Sequence, residues 1–335
     1  MKRFSEVFKN KVAELDEVRC SEDVIIHFLG EEAKTDDEAL FIQQTNAKYF
    51  NNPDSETLLG NFAEIKMVVN SDENKANFIR VNLDEAMDEF YDKGWEPVLE
   101  GIKHQLNYAN RIEGRAAFVL DNLTNYGAIK DSLIIRPLNY EYNKATINES
   151  VFTLFGDMAL VLYVVVYDDV MNSAINTIKV PISAALQWNV SIAEATDYAM
   201  QNTVKFAPAR IYTNILQTED VPDKDSALMS PEFEMKHLAD TVIPLVTTER
   251  KTNGAIALFY PGVKDRIAEM FDGSFYVAFT SIHEAMIHKS GTLDPRSIKR
   301  HVVATNRAFG KAETLSNEVY YYNRETGEFH VCETE

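Results

Sequence analysis

The first clear pattern in the chain is a helical stripe. Phe4, Val7, Phe8, Val12 and Leu15 recur at three- and four-residue spacing, with Glu6, Lys9, Lys11 and Glu14 between them, which predicts an amphipathic helix. The charges recur too closely to leave the apolar core of a secretory leader. Residues 30–37 and 51–56 read as polar connectors. The stripe returns at Leu83, Met87, Phe90 and Tyr91 and is interrupted at Lys93-Gly94, since glycine just past the last periodic position is a common helix stop. A further helix is expected over about 97–108.

The pattern then changes from helical to extended. Residues 133–137 form a short apolar strand, and Leu138-Asn139-Tyr140-Glu141-Tyr142-Asn143 reads as a turn at a domain junction. Residues 158–167 are ten consecutive apolar side chains, rich in β-branched and aromatic types, as expected of a central strand covered on both faces. The run is about half the roughly 20 residues a spanning helix needs, so no membrane segment is expected. A strand over 174–180 would pair with it.

A helix starts near Ile182. A better one is opened by Ser191-Ile192-Ala193-Glu194, whose Ser and Glu can each satisfy a free N–H of the first turn. Residues 218–231 read as an exposed polar loop. Residues 242–248 and 255–260 read as strands joined through Asn253-Gly254, a pair suited to a type I′ hairpin. A helix through Val263, Ile267, Met270 and Phe271, a strand over 275–279, an extended piece through Ile287, a helix over 295–307 and a hairpin over 319–331 complete the chain. The elements predict an α+β fold: an acidic, mainly helical or α+β N-terminal part over 1–130, then a mixed, mostly antiparallel sheet domain of β-β-α units over 131–335.

Length and composition agree with two domains, at 335 residues with 45% hydrophobic and 25% charged side chains. The charge alters the picture more. The net charge is −19, and residues 1–100 hold 11 basic and 23 acidic side chains. Such a balance repels a phosphate backbone, so nucleic acid is not the default partner. Cys20 and Cys332 stand far apart without metal-ligand spacing, which argues against a disulfide framework and fits a cytoplasmic location. The 13 glycines make neither GxGxxG nor GxxxxGK[ST], and no cofactor is expected.

Only a few segments invite chemistry. Ser281-Ile282-His283-Glu284 leads to His288, but two histidines five apart lie roughly 140° apart on a helix and on opposite faces of a strand. A zinc site of the HExxH kind is therefore not expected, and Ser281 with His283 lacks the orienting third group of a catalytic set. Ser281, His283 and Glu284 are candidate binding residues. Asp168 and Asp169 end the apolar strand, a position where open α/β sheets often bind ligands, although a solvated turn explains them as well. Arg296, Lys299, Arg300 and Arg307 fall near one helix face, which could dock an acidic partner. Tyr320-Tyr321-Tyr322 alternate faces and fit ordinary hairpin packing.

Several segments carry a family likeness. Leu138-Asn139-Tyr140-Glu141-Tyr142-Asn143, Gly156-Asp157-Met158-Ala159-Leu160-Val161, Asn253-Gly254-Ala255, Leu258-Phe259-Tyr260-Pro261-Gly262-Val263, Ser281-Ile282-His283-Glu284 and Leu315-Ser316-Asn317-Glu318-Val319-Tyr320 together resemble domain of unknown function 5688. The likeness covers about residues 80–330, with Glu89-Phe90-Tyr91-Asp92-Lys93-Gly94 as its early part. It implies an intracellular bacterial protein, often encoded by mobile or phage-related elements, with no assigned reaction and no catalytic residues to carry over. The expectation is a cytoplasmic binding or regulatory protein that acts through a protein partner without intrinsic catalysis. A hydrolase whose site assembles only in three dimensions, and an acidic mimic of DNA, are the alternatives.

Overall fold

The computed structural model describes residues 2–15, 24–28, 62–68, 76–169, 174–214 and 221–333. The expected connectors at 30–37 and 51–56, and Cys20, lie outside these residues. The chain divides into two compact units, Met1–Ala117 and Phe118–Glu335.

The first unit opens with helix α1 (Lys2–Ala13). Phe4, Phe8, Val12 and Leu15 are buried, whereas Val7 lies on the exposed flank. A three-stranded antiparallel sheet follows, β1 (Val24–Phe28), β2 (Phe62–Val68) and β3 (Ala76–Asn82), in that order, and β2 and β3 supply core partners for α1. The sheet adds strands that the sequence pattern does not mark to a part that is mainly helical among its described residues. β-branched and aromatic residues of β2 and β3 are spread among polar ones, so no continuous apolar run marks them. Asn82 ends β3 and caps α2 (Leu83–Lys93), accepting the N–H groups of Asp84 and Glu85, and Gly94 at φ 82° stops the helix as expected. Helix α3 (Trp95–Asn122) runs well past residue 108. Ala63, Ile65, Ile79, Val81, Leu83, Val98, Ile102 and Leu106 close this core.

The second unit holds two antiparallel sheets. In the smaller, β6 (Met158–Asp169) pairs with β4 (Leu133–Asn139) on one side and, in succession, with β5 (Phe152–Phe155) and β7 (Ala174–Lys179) on the other. This is the expected central strand. The residues expected to form a turn after β4 instead form helix α4 (Tyr140–Ile147), because the Asn139 side chain caps it through the Tyr142 N–H. Helix α5 (Ile192–Phe206) carries the Ser191–Glu194 capping box. Its Thr203 hydroxyl accepts the Ile135 N–H at 2.9 Å and donates to Ala199 O at 2.6 Å, which ties the helix to β4.

The larger sheet runs β13-β12-β10-β11-β9-β8, from β8 (Ala209–Tyr212), β9 (Leu245–Thr248), β10 (Phe275–Phe279), β11 (Ala285–Lys289), β12 (Val319–Tyr322) and β13 (Phe329–Val331). Helix α6 (Val263–Phe271) precedes β10, and helix α7 (Pro295–Phe309) packs Ile298 and Val302 on Ala278 and Val319. Phe155 from the smaller sheet stacks on Tyr320 and Phe329 and meets Phe259 edge-on, joining the two sheets through rings. Each large side chain withdrawn from water there contributes about 1.5–3 kcal/mol.

Two further expectations fail. Residues 253–260 are not a hairpin arm: after β9 the chain enters a 3₁₀ helix, Gly254–Phe259, whose first five residues are buried. Part of 218–231 is also not exposed, since Ser226 and Leu228 are buried and Ser226 accepts a bond from Arg210; residues 218–220 lie outside the described set. Among the described residues, no helix is long and apolar enough to cross a membrane.

Candidate functional site

The most constrained segment of the second unit is 249–254, between β9 and the 3₁₀ helix. Lys251 and Asn253 both hold left-handed backbone, at φ 55° and 53°. Residues other than glycine seldom adopt it, at a cost of roughly 1 kcal/mol or more each unless neighbours over-determine it. Here the neighbours do. The Arg250 guanidinium donates to both carboxylate oxygens of Asp168 at 2.7 and 2.6 Å, donates through Nε to Phe206 O, and lies 3.6 Å above the Phe206 ring.

The other end of the segment is held from below. The Asn253 N–H donates to His283 Nδ1 at 3.0 Å, and the Thr247 hydroxyl donates to His283 O at 2.7 Å. The Ala255 N–H donates to Ile282 O. Gly254 passes so close that an added Cβ would lie 2.4 Å from His283 O and 2.7 Å from Thr248 N. Only a residue without a side chain fits there.

This segment roofs a cavity of about 450 Å³ in which Ile134, Ile135, Ile175, Phe206 and Ile256 supply apolar walls. Arg136 projects into it from β4. Its Nη1 donates to Thr177 Oγ1 at 2.8 Å and its Nη2 to Asn253 Oδ1 at 3.0 Å, and the group lies 5.1 Å from the centre of the Tyr163 ring. Both hydrogen-bond partners are neutral, Nε is buried without a partner, and no carboxylate pairs with Arg136 among the described residues. Burial pushes the guanidinium below the usual arginine value. Burial, and then the Arg136 charge, also lower Lys179. A desolvated cation with no counter-ion costs several kcal/mol, and an anion in the cavity would offset it.

The residues singled out in the sequence take mostly supporting places. Asp168 braces one end of the 249–254 segment and His283 the other, yet neither lines the cavity. Asp169 pairs with Ala174 in the sheet register, and its side chain lies outside the described residues. Ser281 Oγ accepts the backbone N–H of His283, while the imidazole turns to Asn253 and, through Nε2, to Glu313 Oε2 at 2.6 Å. No nucleophile-to-base contact is made. Among the described residues, Glu284 accepts a long 3.5 Å bond from Thr280.

Arg296 and Arg300 belong elsewhere, on an open groove of about 730 Å³ along α7 with Lys299 and Arg307. Arg296 lies 3.7 Å from Asp294, Arg300 donates to Ser297, and Lys299 pairs with Glu318. Among the described residues no group of three or more His, Cys, Asp or Glu side chains could hold a metal ion.

Arg136 is the residue that sequence reasoning missed. Its signal is nonetheless present: a lone charge within Leu-Ile-Ile-Arg-Pro-Leu, a strand otherwise apolar, is where a buried cation would sit. A family model described as a family of unknown function, DUF5688, matches residues 60–324, a stretch that includes Arg136, the 249–254 segment and His283. No curated protein and no solved structure matches the chain.

Proposed function

We propose that this chain, which belongs to the DUF5688 family of unknown function, is a binding protein whose cleft beneath residues 249–254 receives the anionic group of a ligand. One observation carries the reading: Arg136 faces the cavity with only neutral hydrogen-bond partners among the described residues, in a protein of net charge −19. Acidic side chains are abundant enough to have paired it. Instead Thr177 and Asn253 orient the guanidinium and leave its charge uncancelled, which is how a protein preorganises a site for an incoming anion.

On this reading the chain acts by binding rather than by catalysis. His283, Ser281 and Asp168 shape the roof of the cleft, which supports a positioning role for them. The regulatory, cytoplasmic setting in a bacterial mobile element, with a protein partner responding to the occupied cleft, completes the proposal.

The test is thermal unfolding of the full chain in acetate, phosphate and citrate at matched ionic strength, against chloride. At least one of the three should raise the midpoint in the wild type, by mass action on the folded state, and not in Arg136→Met. Equal shifts in both proteins, or none in either, would refute the reading.

A further inference from the structure

We infer that the ligand of this cleft is a monoanionic carboxylate carried on an aliphatic body, an inference that rests on the anion-binding reading above. The charge inside the cavity sets the first half. Arg250 lines the wall, but Asp168 takes it in a two-bond ion pair. Glu249 also lines it and lies 3.3 Å from Arg210. Lys205 and Lys251 also line the cavity, but both are exposed to solvent; Arg136 is therefore the desolvated cation in the wall without a carboxylate among the described residues. One guanidinium matches one negative charge.

The remaining donors agree with a carboxylate. Thr177 and Asn253 each take one Nη–H of Arg136, and a guanidinium carries two hydrogens on each Nη. One N–H on each Nη is thus uncommitted among the described residues, and these are the charged donors a carboxylate would meet.

The walls set the second half. Ile134, Ile135, Ile175 and Ile256 present branched alkyl surface, and one face of Phe206 is already covered by Arg250. The isoleucine side chains make up most of the apolar wall, and alkyl groups fill it best. Each methylene withdrawn from water strengthens binding about fourfold.

Isothermal titration of the full chain with sodium acetate, butyrate, hexanoate, inorganic phosphate and hexylamine tests the inference. Affinity should rise about fourfold per methylene from acetate to hexanoate, hexylamine should not bind, and Arg136→Met should weaken hexanoate at least tenfold. Ile175→Asp, on a half-buried edge strand, gives a second variant that keeps Arg136 and should also weaken hexanoate; circular dichroism checks both folds. Phosphate binding that needs Arg136 and exceeds hexanoate would overturn the carboxylate class and leave the cleft as an anion site. A flat response to chain length would overturn it equally. If no anion binds in an Arg136-dependent way, both readings fall together.

Discussion

His283 Nδ1 accepts the backbone N–H of Asn253 at 3.0 Å. An accepting Nδ1 carries no proton, so the ring hydrogen resides on Nε2, which faces Glu313 Oε2 at 2.6 Å. The imidazole therefore transmits the position of Glu313 to a backbone N–H in left-handed conformation. Replacing it leaves that N–H without its acceptor. His283→Ala should destabilise the protein by about 1–3 kcal/mol in urea unfolding. It should also weaken anion binding in the cleft, because Asn253 then no longer presents Oδ1 to Arg136. Unchanged stability and unchanged binding would show that the contact does not hold the segment.

Asp168 and Arg250 hold the same segment from its other end, and here stability and binding should move in opposite directions. The pair is about a quarter exposed on each side, so its value lies above that of a surface ion pair and below that of a fully desolvated one. Asp168→Asn should cost about 1–2 kcal/mol. It also releases the Arg250 charge at the cavity wall, which should raise phosphate affinity relative to hexanoate. Calorimetry on the two ligands checks the change in ratio, and an unchanged ratio would place Arg250 outside the site's electrostatics.

Which of these features the sequence discloses depends on how far the partners stand apart along the chain. Local signals read correctly: Gly94 stops α2, and Ser191 with Glu194 opens α5, because each acts within one turn of itself. The hairpin over 319–331 is similarly local. Asn253-Gly254 is half legible. Its demand for left-handed backbone is met at Asn253, but the chain passes into a buried 3₁₀ helix, because Gly254 is squeezed between Thr247 and His283. Those neighbours are not visible in the dipeptide.

The site itself is legible as residues and not as roles. His283 and Asp168 attract notice in the sequence, yet their partners lie 30 and 82 positions away. The segments that carry the family likeness also meet in space. Asn253-Gly254 rests on Ile282-His283, and Gly156-Asp157 rests on Ser316 and Tyr320. Such convergence is a property of the tertiary fold, and no local spacing encodes it.

The second of those meetings gives a sharp test. Tyr320, fully buried, donates to Asp157 Oδ1 at 2.7 Å, and the Ser316 hydroxyl donates to the same oxygen at 2.7 Å. Gly156 precedes this aspartate at φ 60°, and an added Cβ would lie 2.3 Å from Tyr320 Oη and 2.9 Å from Val331 Cγ2. Gly156→Ala should destabilise by about 2–4 kcal/mol, from left-handed strain and the clash together. Tyr320→Phe alone should cost about 1–2 kcal/mol through the lost hydrogen bond. It also removes the atom that the new methyl would strike. The double variant should therefore be less destabilised than the sum of the two, by about 0.5 kcal/mol or more in urea unfolding. Simple additivity would mean that the backbone, not Tyr320, makes Gly156 necessary.

His288 supplies the pH dependence. It lies on β11 with Nδ1 buried and without a partner, and burial, then the nearby His301, push its pKa down from 6.5 to about 4. The unfolded chain takes up this proton as pH falls through 6.5, whereas the folded chain resists until about 4. Between those values the unfolded state binds more protons, so stability rises with pH. The contribution is fully present above pH 6.5 and is lost progressively as pH falls toward 4. A tenfold difference in proton affinity between the two states corresponds to about 1.4 kcal/mol, so the loss between about pH 7 and 4.5 is about 2–3 kcal/mol. His288→Leu removes the titration and fills the same half-buried space. Its stability at about pH 7 should stay within about 1 kcal/mol of the wild type, while its loss on acidification to about pH 4.5 should shrink by about 2 kcal/mol. The comparison isolates His288, because carboxylates that titrate in the same window act alike in both proteins. Parallel stability-against-pH curves for the two, measured by urea unfolding at half-unit intervals, would show that His288 does not enter the folded state neutral.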